Sequence, residues 1–122
     1  MYLCQKLRIM NTTVSFEIVK LLEKIGWKFP YTIEYLEELQ GTNNYVESIP
    51  TIADVVMWIY EKHGIWIEIG YGLHASGFYF GVSTIENHEY INQKLISDVP
   101  PFSTPTEAYE AAIEYTLKNL IK

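Results

Sequence analysis

Hydrophobic residues recur at three- and four-residue spacing in three segments of the chain: 15–25, Thr51 to Gly64, and 104–121. This is the period of a helix that buries one face, so each segment predicts an amphipathic helix. A weaker version of the same pattern predicts a short helix over residues 31–39.

Short sequence signals mark the ends of these helices. Thr51 followed by Asp54 resembles a capping box, and Thr104-Pro-Thr-Glu107 combines a capping threonine, a first-turn proline and a glutamate. The stretch at 41–44 (Gly-Thr-Asn-Asn) is typical of a loop. The stripe that we expect the last helix to bury consists of Tyr109, Ala112, Ile113, Thr116, Leu117, Leu120 and Ile121, and its solvent face of Glu110, Glu114 and Lys118.

Between the second and third of these helices the pattern changes to an alternating one. Large apolar residues alternate with other residues over 65–71 and again over 78–83, which is the period of a strand. Residues 72–77 supply a glycine-bounded loop of hairpin length, and 89–96 could add a third strand. The face that we expect the helices to cover carries Ile65, Ile67, Ile69, Phe78 and Phe80.

These elements predict an α+β protein, an antiparallel two- to three-stranded meander packed on one face by two or three helices. The 122 residues suit a single domain over 1–122, in which residues 1–13 could form a loosely attached N-terminal extension. The helix signals begin just after Met10, so whether translation starts at Met1 or at Met10 stays open.

The net charge of −6 is unevenly distributed. Residues 1–28 hold five basic and two acidic side chains, a balance of +3, whereas residues 29–122 hold four basic and thirteen acidic ones, a balance of −9. Arg8 is the single arginine, and a clustered basic footprint for nucleic acid is missing. Direct binding to nucleic acid is therefore not expected.

Cellular location is indicated by the lone cysteine, Cys4, which permits neither an internal disulfide nor a cysteine-cluster zinc site. The sequence also contains no signal-peptide pattern and no apolar run approaching the ~20 residues that span a bilayer. We expect a cytoplasmic protein that has no membrane partner.

No catalytic motif stands out in the sequence. His74, His88 and a glutamate such as Glu86 or Glu89 could serve a small metal-dependent or hydrolytic enzyme, although their spacing matches no established metal-binding motif. We therefore predict neither a catalytic residue nor a cofactor, and we keep this enzyme as the alternative function.

Aromatic residues make up 15% of the chain, and tryptophan and tyrosine are the residue types favoured at protein interfaces. The candidate contact residues are Trp66, Tyr79, His74 and Trp58, with Trp66 first because it is out of phase with the isoleucine face. We expect a non-enzymatic accessory or protein-interaction protein, whose partner is another protein or a second copy of the chain.

The helix-strand-strand-strand-helix order from 51 to 121 resembles the double-stranded-RNA-binding fold. Members of that family use a loop histidine, at the position where His74 stands, and a lysine cluster at the start of the final helix. Here that helix opens with Thr104-Pro-Thr-Glu107 and has no lysine before Lys118. Because the phosphate-binding residues are missing, this resemblance of fold implies no RNA binding.

A second resemblance covers most of residues 14–121. The segments 14–27, Pro50-Thr51 with 58–65, and 106–113 resemble a loose group of small uncharacterised proteins of gut anaerobic bacteria and of their phages and mobile elements. This resemblance implies no activity, cofactor or catalytic residue. It is compatible with an accessory protein that a phage or mobile element encodes.

Overall fold

The computed structural model describes residues 12–72, 77–86, 89–95 and 102–121. Within these ranges the chain forms five helices and three strands, and the predicted α+β class is confirmed. The elements are α1 (Phe16–Lys24), α2 (Ile33–Leu39), α3 (Asn43–Ser48), α4 (Ile52–His63), β1 (Ile65–Gly72), β2 (Gly77–Glu86), β3 (Glu89–Leu95) and α5 (Pro105–Asn119).

The three strands form an antiparallel meander in the order β1-β2-β3. β1 and β2 pair from Ile65 opposite Thr84 to Gly72 opposite Gly77 without a register shift. β3 answers the question that the sequence left open: it pairs along β2, with an irregularity at Thr84 and Ile85. Within the described ranges the sheet therefore has three strands.

Side chains alternate across the β1-β2 pair, so one face carries the predicted apolar residues. Ile65, Ile67, Phe80 and Val82 lie on this face and are buried. α4 and α5 pack against the sheet and against each other, and α1 packs along α5. The buried hydrophobic residues of α1, α2, α4, α5 and the sheet form one core.

Two backbone hydrogen bonds join the start of the described chain to the start of α4. Thr13 and Thr51 form an isolated antiparallel bridge, in which the Val14 N–H donates to the Pro50 carbonyl and the Ile52 N–H donates to the Thr12 carbonyl. The Ser15 hydroxyl then caps α1 by accepting from the Ile18 N–H. The entry into α1 is thus fixed beside the entry into α4.

Both predicted helix starts are confirmed. Thr51 and Asp54 form a reciprocal capping box, with the Thr51 Oγ1 accepting from the Asp54 N–H and the Asp54 carboxylate accepting from the Thr51 N–H. Thr104 caps α5 by accepting from the Glu107 N–H, and the Glu107 carboxylate accepts from the Ser103 N–H. Each arrangement satisfies backbone donors that a helix start leaves unpaired.

Three sequence interpretations are wrong. The loop expected at 41–44 contains the start of α3, because the Thr42 hydroxyl caps that helix by accepting from the Tyr45 N–H. Leu120 was expected in the buried stripe of α5 but is 41% exposed, since α5 ends at Asn119. Glu110 was expected on the solvent face but is partly buried. Among the described residues, no helix is both long enough and apolar enough to cross a membrane.

Candidate functional site

Trp66 and Tyr79, two of the predicted contact residues, are held by packing within the chain. Trp66 is partly buried and packs edge to face on Tyr60 of α4, with ring centroids 5.6 Å apart. The ring of Tyr79 lies across Gly70 on the neighbouring strand, where a Cβ would come within 3.1 Å of it. These contacts tie both side chains to the fold, and their role as contact residues stays a prediction.

Trp58, the third of these residues, belongs to a group of rings at the surface. It lies on α4, is partly buried, and meets Trp27 in a T-shaped arrangement with centroids 5.2 Å apart. The His63 ring also packs on Trp58, at 5.3 Å. Through this contact Trp58 holds the segment that follows α1 against the surface of α4.

His74 and His88 lie outside the described residues, so the enzyme that would use them stays a prediction. In the ranges that the structure describes, no group of three or more histidine, cysteine, aspartate or glutamate side chains is arranged to hold a metal ion.

The position of Trp27 is fixed by the way in which α1 ends. The Gly26 N–H donates to the Glu23 carbonyl, and the Trp27 N–H donates to the Leu22 carbonyl at 3.0 Å, which together form a Schellman motif. Gly26 has a φ of 105°, a conformation that residues with a Cβ rarely adopt. Gly26 therefore turns the chain so that Trp27 reaches α4.

The rings continue from Trp27 toward α2. Phe29 lies 6.3 Å from Trp27, and Tyr31 packs on Tyr35 with centroids 5.0 Å apart. Tyr31 and Tyr35 are 47% and 45% exposed. The Thr32 hydroxyl caps α2 by accepting from the Tyr35 N–H, which fixes the end of this row of rings. We call the five side chains Trp27, Phe29, Tyr31, Tyr35 and Trp58 the aromatic strip.

Three open hollows follow the aromatic strip. One of about 740 Å³ is lined by residues 29–32 with Tyr35. A second, of about 420 Å³, lies beside Trp27, Phe29 and Tyr31. The third, of about 450 Å³, lies between Trp27 and α4 and is lined by Trp27, Ala53, Asp54, Met57, Trp58 and Glu61. All three are open to solvent, as a surface that receives a chain segment would be.

Charges beside the strip are mainly negative. Asp54 and Glu61 line the hollow between Trp27 and Trp58, and among the described residues no basic side chain lines it. The middle hollow has one acid and one base, Glu23 and Lys28. Glu61 is exposed on α4, three residues after Trp58 and so one turn further along the helix. The strip is thus apolar along its length, acidic in the hollow between Trp27 and α4, and balanced in charge in the middle hollow.

Glu110 is a polar residue whose burial and contact with α1 the sequence did not reveal. Its Oε1 accepts from the Ser15 N–H at 2.9 Å, a contact that joins α5 to the start of α1. Its Oε2 is buried and has no hydrogen-bond partner within the described part of the chain. Burial raises the pKa of this carboxyl, hydrogen bonding to Ser15 opposes the rise, and the charge of Glu114 adds to it.

Comparisons with known proteins leave these features to be interpreted from their own chemistry. No protein-family model matches the chain, and neither the curated proteins nor the solved structures contain a significant match. The resemblance to small proteins of gut anaerobes and their mobile elements stays a prediction.

Proposed function

We propose that this chain is a non-enzymatic protein-interaction domain that binds another protein through the aromatic strip. The observation that carries the proposal is the exposure of large apolar side chains along hollows that share lining residues, with Tyr31, Tyr35 and Met57 each 44–47% exposed. Contiguous exposed apolar surface in a folded protein marks a site of interaction, whereas single exposed apolar residues are ordinary.

The residue types also support binding. Tryptophan and tyrosine are enriched among the residues that dominate binding energy, because a large ring gains contact area at a small entropic cost. The strip rests on ordered supports: the Schellman motif at Gly26, the cap at Thr32 and the capping box that opens α4. A surface that is ordered before binding loses less conformational entropy on association.

We further propose that the protein acts in the cytoplasm and that a phage or another mobile element encodes it. The lone Cys4 supports the first statement, since disulfide-stabilised domains belong to oxidising compartments. The sequence resemblance described above supports the second.

Site-specific photo-crosslinking tests the proposed binding surface. A photoreactive phenylalanine analogue at Met57, which lines the hollow beside Trp58, should crosslink to a discrete partner in a lysate of the native host. The matched control is the same analogue at Val46, which is 56% exposed on α3 and lines none of the three hollows.

A second pair of variants tests whether the partner depends on the strip. Met57→Lys places a cation in the apolar hollow and should abolish crosslinking from a photoreactive residue placed at Tyr31, whereas Val46→Lys should leave it unchanged. Equal crosslinking from positions 57 and 46, or capture that survives Met57→Lys, would overturn the proposal.

A further inference from the structure

We propose that the hollow between Trp27 and Trp58 receives an arginine side chain from a basic, extended segment of the partner protein. This inference rests on the proposed function and deepens it by stating the chemistry of the bound segment. It follows from two features of one place, the tryptophan rings and the carboxylates beside them.

The rings supply the first part of the recognition. A cation is attracted to the face of an aromatic ring, most strongly to tryptophan, and arginine makes such contacts more often than lysine. A contact of this geometry occurs within the chain, where the Lys20 Nζ lies 5.3 Å from the centroid of the Phe16 ring. Trp27 and Trp58 meet at 60°, so the two rings present differently oriented surfaces to the hollow that they both line.

The carboxylates supply the second part. Asp54 accepts from the Thr51 N–H and still carries its negative charge into the lining, while Glu61 is exposed. A guanidinium group can lie flat on a ring and donate from its edge to a carboxylate, a combination that its planar fork permits. A neutral apolar side chain would fill the hollow but would leave the acidic rim without a partner.

Charge also decides between the possible occupants. A second copy of this chain has a net charge of −6 and a single arginine, Arg8. It therefore offers an acidic hollow less than a segment that is basic throughout, although its residues 1–28 have a balance of +3. A basic segment is attracted by the same field, and the open shape of the hollows suits an extended chain. The structure therefore favours a basic partner over self-association.

A peptide titration tests the inference. The probe is an acetylated, amidated Gly-Arg repeat hexapeptide, compared with hexapeptides in which citrulline or lysine replaces arginine. Nitrogen-15 correlation spectra of the full chain follow the indole N–H signals. The arginine peptide should shift the signals of Trp27 and Trp58, while that of Trp66, which packs on Tyr60, serves as the internal reference.

We expect the citrulline peptide to bind roughly 2- to 30-fold more weakly, because citrulline keeps the shape of arginine and removes its charge. Glu61→Gln should weaken binding of the arginine peptide, whereas Glu47→Gln, which changes an exposed acid that lines none of the three hollows, should not. Added salt should weaken binding in the wild type, since exposed charges are screened.

Three results would overturn the inference. They are equal affinity for the citrulline peptide, insensitivity to Glu61→Gln, and shifts of Trp66 as large as those of Trp27 and Trp58. Indole shifts that grow with protein concentration in the absence of peptide would instead identify a second copy as the occupant. If Met57-dependent crosslinking persists while the arginine peptide fails, the inference is wrong and the proposed binding surface stands.

Discussion

Two groups of aromatic rings differ in what lies over them. The first group, which we call the sheet cluster, consists of Phe80 on β2, Phe102 in the segment before α5, and Tyr115 on α5. The ring centroid of Phe80 lies 6.3 Å from that of Phe102 and 6.0 Å from that of Tyr115. The neighbouring rings of the aromatic strip are 5.0–6.3 Å apart, so the two groups are equally close-packed. Phe80 of the sheet cluster is 3% exposed, however, whereas Tyr31 and Tyr35 of the strip are 47% and 45% exposed. The remaining rings of both groups are partly buried.

The difference arises from the elements that carry the rings. The sheet cluster lies between β2 and α5. The backbone of its member Phe102 forms a bridge to Phe78. The strip is carried by the connection from α1 to α2, by α2 and by α4, and its hollows open to solvent. Ring-to-ring distance alone therefore does not identify a core; coverage by a second element does.

The largest difference between the two groups should appear in stability. Phe80→Ala removes a buried ring and leaves a cavity between β2 and α5, so we expect a loss of about 3–5 kcal/mol in the free energy of unfolding. Met57→Ala truncates an exposed apolar side chain beside the strip and should change that free energy by no more than about 0.5 kcal/mol. Urea denaturation of both variants measures these changes.

A result in the other direction would break the comparison. If Met57→Ala cost as much as Phe80→Ala, Met57 and the hollow that it lines would belong to the core, and the exposure of Met57 would not indicate binding. If both variants were close to the wild type in stability, the sheet cluster would not be the enclosed core that its burial indicates.

Helix ends could be predicted from the sequence because capping is local. Thr51 with Asp54, and Thr104 with Glu107, lie three residues apart and satisfy neighbouring backbone donors wherever the helix lies in the fold. The sequence at 41–44 misled for the same reason. Thr42 and the asparagines suit both a loop and a helix start, and only the structure shows that α3 follows.

The candidate site was harder to predict because its parts are distant in sequence. The chain indicated Trp58 as a contact residue, but its pairing with Trp27 depends on how α1 ends and where α4 lies. Trp66 was favoured because it is out of phase with the buried face, a pattern that could not reveal the contact with Tyr60. The helical period of α5 likewise could not show that Glu110 lies beside the start of α1.

An intermediate effect is expected at Gly26, which positions one end of the strip. An added Cβ would meet no atom within 4 Å, so the cost of Gly26→Ala comes from the backbone conformation alone. We expect a loss of about 1–2 kcal/mol in the free energy of unfolding, together with a shift of the Trp27 indole signal. Gly26→Asn should cost less, because asparagine is the commoner substitute for glycine in this motif.

Gly41→Ala provides the matched control for Gly26. Gly41 has a φ of 86° and equally free space around its Cβ position, so a similar loss of stability is expected. The Trp27 signal should stay in place, since Gly41 lies outside the Schellman motif. Equal movement of Trp27 in both alanine variants would contradict the role assigned to Gly26.

The smallest effect concerns Glu110, which joins the start of α1 to α5. The end of α1 positions the strip, and α5 carries Tyr115 of the sheet cluster. Its pKa is raised in the folded chain, mainly by burial, so the folded state holds its proton at pH values where the unfolded chain has lost it. Stability from this group is therefore present at low pH and is lost as the pH rises from the ordinary value of a glutamate through the raised one.

Glu110→Gln removes this titration while keeping an oxygen that can accept from Ser15, so the stability difference between the variant and the wild type should vary with pH across that window. At low pH, where both side chains are neutral, the variant should differ from the wild type by less than about 1 kcal/mol, because the hydrogen bond from Ser15 is retained. Urea denaturation at a series of pH values measures it. Glu61→Gln, which removes an exposed acid, is the matched control for the loss of one carboxylate. A Glu110→Gln curve parallel to the wild type would show that burial does not perturb this carboxylate and that the joint between the helices is insensitive to its charge.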